Sequence, residues 1–362
     1  MMSMKMSYWI GKCLIKIETM IVLLSGQIKN VGDFLITDRA RKLFEEFVDK
    51  DITILDRTKD LTEHLSTINS SRFVVLCGGP AYAPNIYGGI YPLVKDLDDI
   101  KVPIIPFGLG WCGRPFNQPM EFKFDAASNN FLKRTHKQID SSSCRDIVTE
   151  SILKNNGFEN VTMTGCPVWY DLDSIGKPLV KKQIENIVFT TPASIWHIWQ
   201  NTKLLKLTRK IFPNARIVMT FHRGIVPDKH TSLKSGAGYI IMCLLAKLFV
   251  RKVEIRDVAY DLKKIDFYQT FDFHVGYRVH AHLYFLSKRL PSILINEDGR
   301  GVGMVSSLGM DLLNVNDKDL FEKVKTALEE AKNQKFDKFD KVVQKIESSF
   351  KTMQGFLKKL PA

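Results

Sequence analysis

The sequence predicts an α/β protein in which two βα domains face each other across a cleft. Short apolar runs alternate with amphipathic helical patterns along the chain, which is typical of parallel sheets covered by helices. Several of these runs end in glycine-containing turns, and the turns after parallel strands line a common crevice. The length of 362 residues suits two such domains, because one domain commonly has about 100–200 residues.

The first Rossmann-like domain is predicted to span residues 20–170. An apolar run at 20–24 is typical of a buried strand, and Asp33 is predicted to cap the helix that follows. Further strands are predicted at 52–55, 72–77, 102–107, 143–145 and 161–164, with a helix at 146–155. The polar stretch 171–185, which contains Gly176 and Pro178, is predicted to be the linker.

The same alternation restarts in a second Rossmann-like domain, predicted at 186–315. Strands are predicted at 187–190, 216–221 and 252–255, and helices at 194–212, 239–249 and 257–264. The stretch 276–295 then gives a turn, a short helix and a closing strand. Residues 316–362 are predicted to form C-terminal helices with a solvated amphipathic face. Residues 1–19 form a Met- and Lys-rich extension, either an amphipathic anchor or a poorly ordered segment, and no signal peptide is expected.

Positive charge is concentrated in one part of the second domain. The net charge is +13, and residues 201–256 contain 12 Lys and Arg against two acids. The apolar run 239–249 lies in this segment and is shorter than the roughly 20 residues of a membrane-spanning helix. Two interpretations stay open: a buried helix, or a basic apolar surface that rests on an anionic membrane. Nucleic-acid binding is not expected, because no DNA-reading or base-stacking motif accompanies the charge.

The cysteines and potential metal ligands are scattered. Six cysteines occur without a CxxC pair, which fits a reducing compartment. We therefore expect a cytoplasmic protein, with peripheral attachment to the inner face of the membrane as an open alternative. No cluster of His, Cys, Asp and Glu has metal-ligand spacing, so the sequence predicts a reaction without a metal or bound cofactor.

The stretch 276–295, GYRVHAHLYFLSKRLPSILI, contains the most informative chemistry. Gly276 permits a tight turn, which is expected to place Arg278 and His280 in the first turn of a helix, where free N–H groups attract anions. Arginine grips carboxylate or phosphate groups in two places, and histidine transfers protons near neutral pH. His282 lies about 200° from His280 on a helix and is expected to face elsewhere. A solvated or ion-paired Arg278 is the simpler alternative.

Four motifs occur in a characteristic order along the chain. They are NVGDFLI at 30–36, VLCGGPAY at 75–82, SCRDIVTESILKNNGFENVTMTGCPV at 143–168 and the stretch 276–295. Together their N-x-G-D, R-D-x-x-S/T and R-x-H-A/G-H patterns resemble the polysaccharide pyruvyl transferase family over roughly residues 20–315. One departure is Gly-Gly-Pro at 78–80, where the family usually has a third glycine. The two facing domains also resemble the GT-B arrangement of many transferases.

The resemblance implies a specific reaction. The enolpyruvyl carbon of phosphoenolpyruvate is transferred onto two hydroxyls of a sugar, which forms a cyclic pyruvate ketal and releases phosphate. The acceptor would be a surface polysaccharide or its lipid-linked precursor, on the side of the first domain, with the donor on the side of the second. Matched by position, the family's donor residues correspond to Arg145, Arg278 and His280.

The chemistry of phosphoenolpyruvate suits these residues independently. Two arginines and a helix N-terminus match its carboxylate and phosphate. A protonated His280 is a candidate general acid for the methylene carbon. Asp33 is a candidate base for the sugar hydroxyl, and a simple N-cap role explains it as well.

Four further residues are candidates for substrate binding, namely Asn30, Gly78, Gly79 and His222. Asn30 would bond to the acceptor or hold its own turn, the glycines would offer backbone contacts, and His222 follows a predicted strand at the cleft. Two other functions stay open. A GT-B glycosyltransferase would bind the diphosphate of a nucleotide sugar with the same groups, and a basic binding module would keep the fold without turnover.

Overall fold

The computed structural model describes residues 20–114 and 118–361, so the extension predicted at 1–19 lies outside the described residues. The first half contains β1 (Ile21–Ser25), α1 (Val31–Phe47), β2 (Ile52–Asp56), α2 (Leu65–Asn69), β3 (Val74–Cys77), β4 (Ile104–Phe107), α3 (Ala126–Lys137), β5 (Ser142–Cys144), α4 (Ile147–Asn155) and β6 (Val161–Met163). The first four strands form a parallel sheet in the order β2-β1-β3-β4. Every residue of β1, β3 and β4 is buried, as expected for a parallel sheet covered on both faces.

The last two strands of this half form a separate parallel pair. A bridge between Leu109 and Cys144 joins β5 to the chain that follows β4. The apolar pattern predicts both strands, but it contains no information about which sheet a three-residue strand joins.

The second half contains β7 (Asn186–Thr190), α5 (Ile198–Ile211), β8 (Arg216–Phe221), α6 (Leu233–Phe249), β9 (Val253–Asp257), β10 (Phe273–Gly276), α7 (Val279–Ser287), β11 (Ser292–Leu294), α8 (Gly299–Leu308), α9 (Leu320–Lys332) and α10 (Asp337–Leu357). Its sheet is parallel, in the order β11-β10-β7-β8-β9. If β7 to β11 are numbered 1 to 5 along the chain and the sheet is read from the β9 edge, the strand order is 3-2-1-4-5, as in the Rossmann fold.

Several helix predictions were wrong for local reasons. Asp33 is not the cap of α1, because Asn30 occupies that position. The helix predicted at 257–264 is a 3₁₀ helix at Leu262–Thr270, which Asp261 caps. Helix α8 was missed, because its glycines lower helix propensity.

The C-terminal helix α10 packs one face against both halves, so the solvated surface predicted for it describes only its other face. Phe350 contacts Phe47 of α1 at a ring-centroid distance of 5.9 Å, and Phe356 lies 6.1 Å from Phe107 of β4. In the predicted linker, buried Asp171 forms ion pairs with Arg39 and with Lys288 at the end of α7. These contacts join the two halves beneath the cleft.

Candidate active site

A pocket lies between the two sheets, at the edges where the carboxyl ends of their strands face each other. Strand order changes direction between β1 and β3 in one sheet and between β7 and β10 in the other, and ligands bind at such switch points. The pocket has a volume of about 170 Å³. Its lining residues come from both halves: Asn30, Asp33, Arg57, Pro80, Arg145, His222, Arg223, Tyr277, Arg278, Val279, His280, Glu297 and Arg300.

The N-x-G-D motif builds one wall of the pocket. Asn30 caps α1, since its Oδ1 accepts from the backbone N of Gly32 at 3.4 Å, and its Nδ2 donates to Asp33 Oδ2 at 3.2 Å. A Cβ at Gly32 would lie 2.6 Å from Nδ1 of His280, so only glycine allows this histidine to approach. Because Asn30 provides the cap, the carboxylate of Asp33 is available to the pocket.

The junction between β10 and α7 builds the opposite wall. Gly276 has a φ of +143°, and its lack of a side chain lets the backbone pass close to Thr190. Arg278 occupies the N-cap position, one residue earlier than predicted, and its Nη2 donates to the carbonyl of Pro192 at 3.0 Å. His280 follows within the first turn of α7.

His282, on the same helix, faces away from the pocket, as the helical spacing predicts. It is fully buried, and its Nδ1 lies 2.7 Å from Ser292 Oγ. Only His280 of the two is therefore placed for chemistry in the pocket.

Arg145 enters the pocket between β5 and α4 and is rigidly held. Its Nε lies 3.1 Å from Asp146 Oδ2, and its Nη2 donates to the carbonyl of Trp111 at 3.0 Å. Asp146 also caps α4, accepting from the backbone N of Thr149 at 2.7 Å. Gly110 leaves the space that the guanidinium occupies.

The sequence patterns assign no role to Arg57, Arg223, Arg300 or Glu297, which also line the pocket. Arg57 follows β2 and lies 5.4 Å above the ring of Tyr91. Nε of Arg300 donates to both oxygens of Asp298, at 2.9 and 2.8 Å. These arginines follow the carboxyl ends of strands β2, β8 and β11, and that position was the available signal.

Glu297 organises the loop that follows β7. Its carboxylate accepts from the backbone N of Ala193 at 2.8 Å and of Ser194 at 3.1 Å. The loop is thereby fixed beside Arg278, whose Nη2 bonds to the preceding Pro192.

Gly78 and Gly79, which the sequence suggests as substrate contacts, lie in a turn beside the pocket. Gly78 and Gly79 have positive φ angles of +54° and +79°, and among the described residues Pro80 lines the pocket while the two glycines do not. A Cβ at Gly79 would lie 3.4 Å from Nη1 of Arg57. That distance is an ordinary contact, whereas a Cβ at Gly78 would clash with Cγ2 of Ile36. The glycines therefore shape the turn and let it pack closely on α1.

His222 lines the pocket, but its side chain is almost entirely buried and contacts other residues of the protein. It is 2% exposed, and its Nε2 lies 2.8 Å from the hydroxyl of Tyr268. Burial, aided by Arg278, holds its pKa well below the ordinary value, so the imidazole is neutral near pH 7.

The pocket is strongly cationic and shifts the titration of its acid–base candidates. Five arginines line it against two carboxylates. Burial raises the pKa of Asp33, and the nearby Arg57 opposes this shift. Burial, together with Arg145 and Arg300, lowers the pKa of His280 to about 3. His280 is therefore neutral near pH 7 in this structure, in contrast to the protonated acid that the sequence suggested.

Three buried nitrogen atoms of pocket residues have no hydrogen-bond partner within the described part of the chain. They are Nε of Arg57, Nε of Arg278 and Nε2 of His280. Buried polar atoms are nearly always paired, so such a cluster indicates where ligand atoms belong. Within residues 20–114 and 118–361, no group of three or more His, Cys, Asp and Glu is arranged to hold a metal ion.

The parallel sheets and the cleft between them define a GT-B-type protein, the fold of many transferases. Similar solved structures include a UDP-GlcNAc 2-epimerase from Neisseria meningitidis bound to UDP-GlcNAc, with a TM-score of 0.52, 12% identity and coverage of 93% of this chain and 98% of that chain. Another is a putative UDP-N-acetylglucosamine 2-epimerase from Listeria monocytogenes, with a TM-score of 0.51, 11% identity and coverage of 92% and 94%. At these identities the likeness concerns the fold alone.

The family itself is shown by sequence. The model of the polysaccharide pyruvyl transferase family matches residues 30–299, and the chain belongs to this family. No curated protein matches the sequence.

Proposed function

We propose that this protein transfers the enolpyruvyl group of phosphoenolpyruvate onto two hydroxyls of a saccharide, forming a pyruvate ketal and releasing phosphate. The observation that carries the proposal is the convergence of five arginines from both domains on one small pocket that also contains Asp33 and His280. Membership of the polysaccharide pyruvyl transferase family supports it.

The pocket fits a small, highly charged donor. Phosphoenolpyruvate has a carboxylate and a phosphate on the same carbon, which suits guanidinium groups from opposite walls, Arg145 and Arg278, at the N-terminus of α7. Sites for drug-sized ligands commonly have about 300–1,000 Å³, so a pocket of about 170 Å³ favours the smaller donor over a whole nucleotide sugar.

The first chemical step adds a hydroxyl across the double bond of the donor. His280 gives a proton to the methylene carbon, C2 becomes electrophilic, and a sugar oxygen bonds to C2 while Asp33 takes the hydroxyl proton. The neutral His280 must first acquire a proton, and the negative charge of the bound donor raises its pKa toward that of an acid.

The second step completes the ketal. The bond between C2 and the phosphate oxygen breaks, phosphate leaves with the bonding electrons, and the second sugar hydroxyl attacks C2. The proton of that hydroxyl leaves with phosphate, so the sum of both steps is donor plus diol giving ketal plus inorganic phosphate.

A wider groove adjoins the pocket and is the proposed acceptor site. It has a volume of about 560 Å³ and shares Arg223, Glu297 and Arg300 with the pocket. Arg114 from the first half and His197 from the second add polar groups to its lining. Most of the lining belongs to the second half, so the proposed acceptor would lie mainly against that half and not against the first, as the resemblance implied. A saccharide of a surface polysaccharide or of its lipid-linked precursor is the acceptor that the family suggests.

The test is a reaction of the purified protein with phosphoenolpyruvate and a panel of saccharides. Phosphate release should match the formation of an acid-labile ketal one for one, and Arg278→Ala should strongly reduce both at subsaturating phosphoenolpyruvate. Arg134→Ala, at a surface ion pair outside the pocket, is the matched control and should leave turnover unchanged. Phosphate release without a ketal would contradict group transfer.

The alternative is a glycosyltransferase that uses a nucleotide sugar, which the volume of the adjoining groove favours. A thermal-shift comparison separates the two functions. Stabilisation by a nucleoside diphosphate sugar and none by phosphoenolpyruvate would support the alternative. If the donor binds but His280→Ala changes stability and no reaction is found, the protein is a binding module without turnover.

A further inference from the structure

The outer side of α6, the turn before α5 and the first turn of α5 form an exposed apolar surface, which we name the α6 face. The inner side of α6 is buried through Tyr239, Met242 and Ala246, so the buried-helix interpretation describes this side, while the outer side is exposed. The α6 face consists of Trp196, Trp199, Leu233, Ile240, Ile241, Leu244, Leu248 and Phe249. Trp196, Leu233 and Leu248 are 81%, 80% and 73% exposed, and apolar patches of this kind mark interaction sites.

The two helices that form the α6 face are basic. Helices α5 and α6 together contain six Lys and Arg and no Asp or Glu. Lys234 lies 5.1 Å above the ring of Trp196, and Lys206 lies 5.1 Å above the ring of Phe249. Lysines therefore flank the apolar side chains at both ends of α6.

We propose that the α6 face docks on an anionic lipid bilayer. A basic helix face with tryptophan and leucine on its apolar side is the pattern of helices that lie in the membrane interface. Tryptophan suits this position, since its ring is apolar and its N–H stays near the headgroups. No helix within residues 20–114 and 118–361 is long and apolar enough to cross a membrane, so the contact is peripheral.

Charge separates the bilayer from the other possible occupants. A second copy of this chain, docked through the same face, would bring two sets of six cations together without carboxylates between them. Residues 1–19 contain three lysines and one glutamate, so their charge does not complement the face either. An anionic surface satisfies both the apolar and the basic parts.

The α6 face begins at the mouth of the proposed acceptor groove. The hydroxyl of Tyr239 donates to the carbonyl of Ala193 at 2.9 Å, and Gly238 lets α6 pack closely on Ile195. Ala193, Ser194 and His197 line the groove. Docking would thus turn the groove toward the membrane, where a lipid-linked saccharide is presented; this last point rests on the proposed function.

Vesicle flotation of the full chain tests the docking surface without donor or acceptor. We expect binding to phosphatidylcholine vesicles that contain phosphatidylglycerol and none to phosphatidylcholine alone. The triple change Lys203→Gln, Lys206→Gln, Lys234→Gln should weaken binding about 100-fold, because each surface lysine contributes about fivefold. The control Lys341→Gln, Lys345→Gln, Lys351→Gln removes the same charge from exposed positions of α10 and should have little effect.

The apolar part is tested separately. Leu244→Gln with Leu248→Gln should reduce binding at unchanged charge, whereas Ile54→Gln with Val180→Gln, exposed elsewhere, should not. Equal binding by wild type and both α6-face variants overturns the proposal. So does a wild-type dimer that Leu244→Gln with Leu248→Gln dissociates, which would identify a second copy as the occupant. Failure here leaves turnover on a soluble saccharide intact, so it is distinguishable from failure of the proposed function.

Discussion

At the scale of single residues, the pocket arginines differ in how they are held. Arg145 and Arg300 each contact an adjacent carboxylate, Asp146 and Asp298. Arg278 instead donates to the backbone carbonyl of Pro192, and its Nε has no partner within the described residues. Arg278 thus has no ion pair within the described residues, as is also true of Arg57 and Arg223, and it lies at the N-terminus of α7, so we expect it to contribute strongly to binding an anion.

Arg278 thus gives the first prediction. Arg278→Ala should weaken phosphoenolpyruvate binding by about 2 kcal/mol or more, roughly 30-fold, since a charged hydrogen-bonding partner is lost. Arg278→Lys should restore only part of the affinity, because the charge returns without the planar fork. Titration calorimetry measures both, and equal affinity of the alanine variant and the wild type would remove Arg278 from the donor site.

His280 gives a prediction about protons. Its pKa of about 3 leaves it neutral at pH 7, and a bound anion raises that pKa. Donor binding should therefore take up a proton, which appears as a dependence of the binding enthalpy on the ionisation enthalpy of the buffer. His280→Asn should reduce this uptake, and unchanged uptake in the variant would assign the proton to another group, with Asp33 the first candidate.

The sequence predicts some pocket residues better than others. Arg145, Arg278 and His280 lie in dense motifs, and the structure brings all three to one pocket. Arg57 and Arg300 are single arginines whose one signal is their position after a strand, and many surface residues share that position. The pKa of His280 depends on burial and on arginines distant in sequence, which no local pattern contains.

At the scale of elements, the contact between α8 and α4 supports Arg145 in the pocket wall. A Cβ at Gly303 would lie 2.7 Å from Oδ1 of Asp146, the oxygen that caps α4. The other oxygen of Asp146 holds Arg145. The glycines of α8 lower its helix propensity, and the close packing of this helix requires them.

This contact predicts opposite effects for two glycine substitutions. Gly355→Ala in α10 has free space and should stabilise the protein by about 0.5–1 kcal/mol, as usual within a helix. Gly303→Ala should instead destabilise it by about 1–3 kcal/mol through overpacking, and should weaken donor binding through Arg145. Denaturant unfolding and calorimetry give the two quantities. A Gly303→Ala protein as stable as Gly355→Ala, with full donor affinity, would contradict this role of α8.

At the scale of the whole molecule, the βα rhythm predicts the parallel sheets and their order of elements. It does not predict how α10 returns to contact Phe47 and Phe107, or how Asp171 joins α1 to α7. These contacts join residues far apart in the sequence. Periodicity describes one segment at a time, so it contains no information about them.

The buried histidines make acid stability a property of the whole fold. Burial lowers the pKa of His222, His274, His280 and His282, the last two to about 3. Below an unfolded pKa of about 6.5 the unfolded chain binds protons that the folded chain does not, so stability is lost as pH falls. Each histidine contributes a slope of at most about 1.4 kcal/mol per pH unit, and stability from this source is flat above pH ~7.

Denaturant unfolding between pH 7.5 and 5 measures this slope. His282→Gln should reduce it, because one buried histidine is removed, while His64→Gln at an exposed position should leave it unchanged. A slope that is the same in all three proteins would show that the buried histidines do not determine acid stability.

We propose that the arginine pocket between the two domains binds phosphoenolpyruvate. Calorimetric titration of the wild type and of Arg278→Ala with phosphoenolpyruvate and with UDP-GlcNAc tests it most directly. We expect saturable binding of phosphoenolpyruvate to the wild type, a strong loss in the variant and no comparable binding of UDP-GlcNAc. Binding of UDP-GlcNAc alone, or phosphoenolpyruvate binding that Arg278→Ala leaves unchanged, would contradict the account.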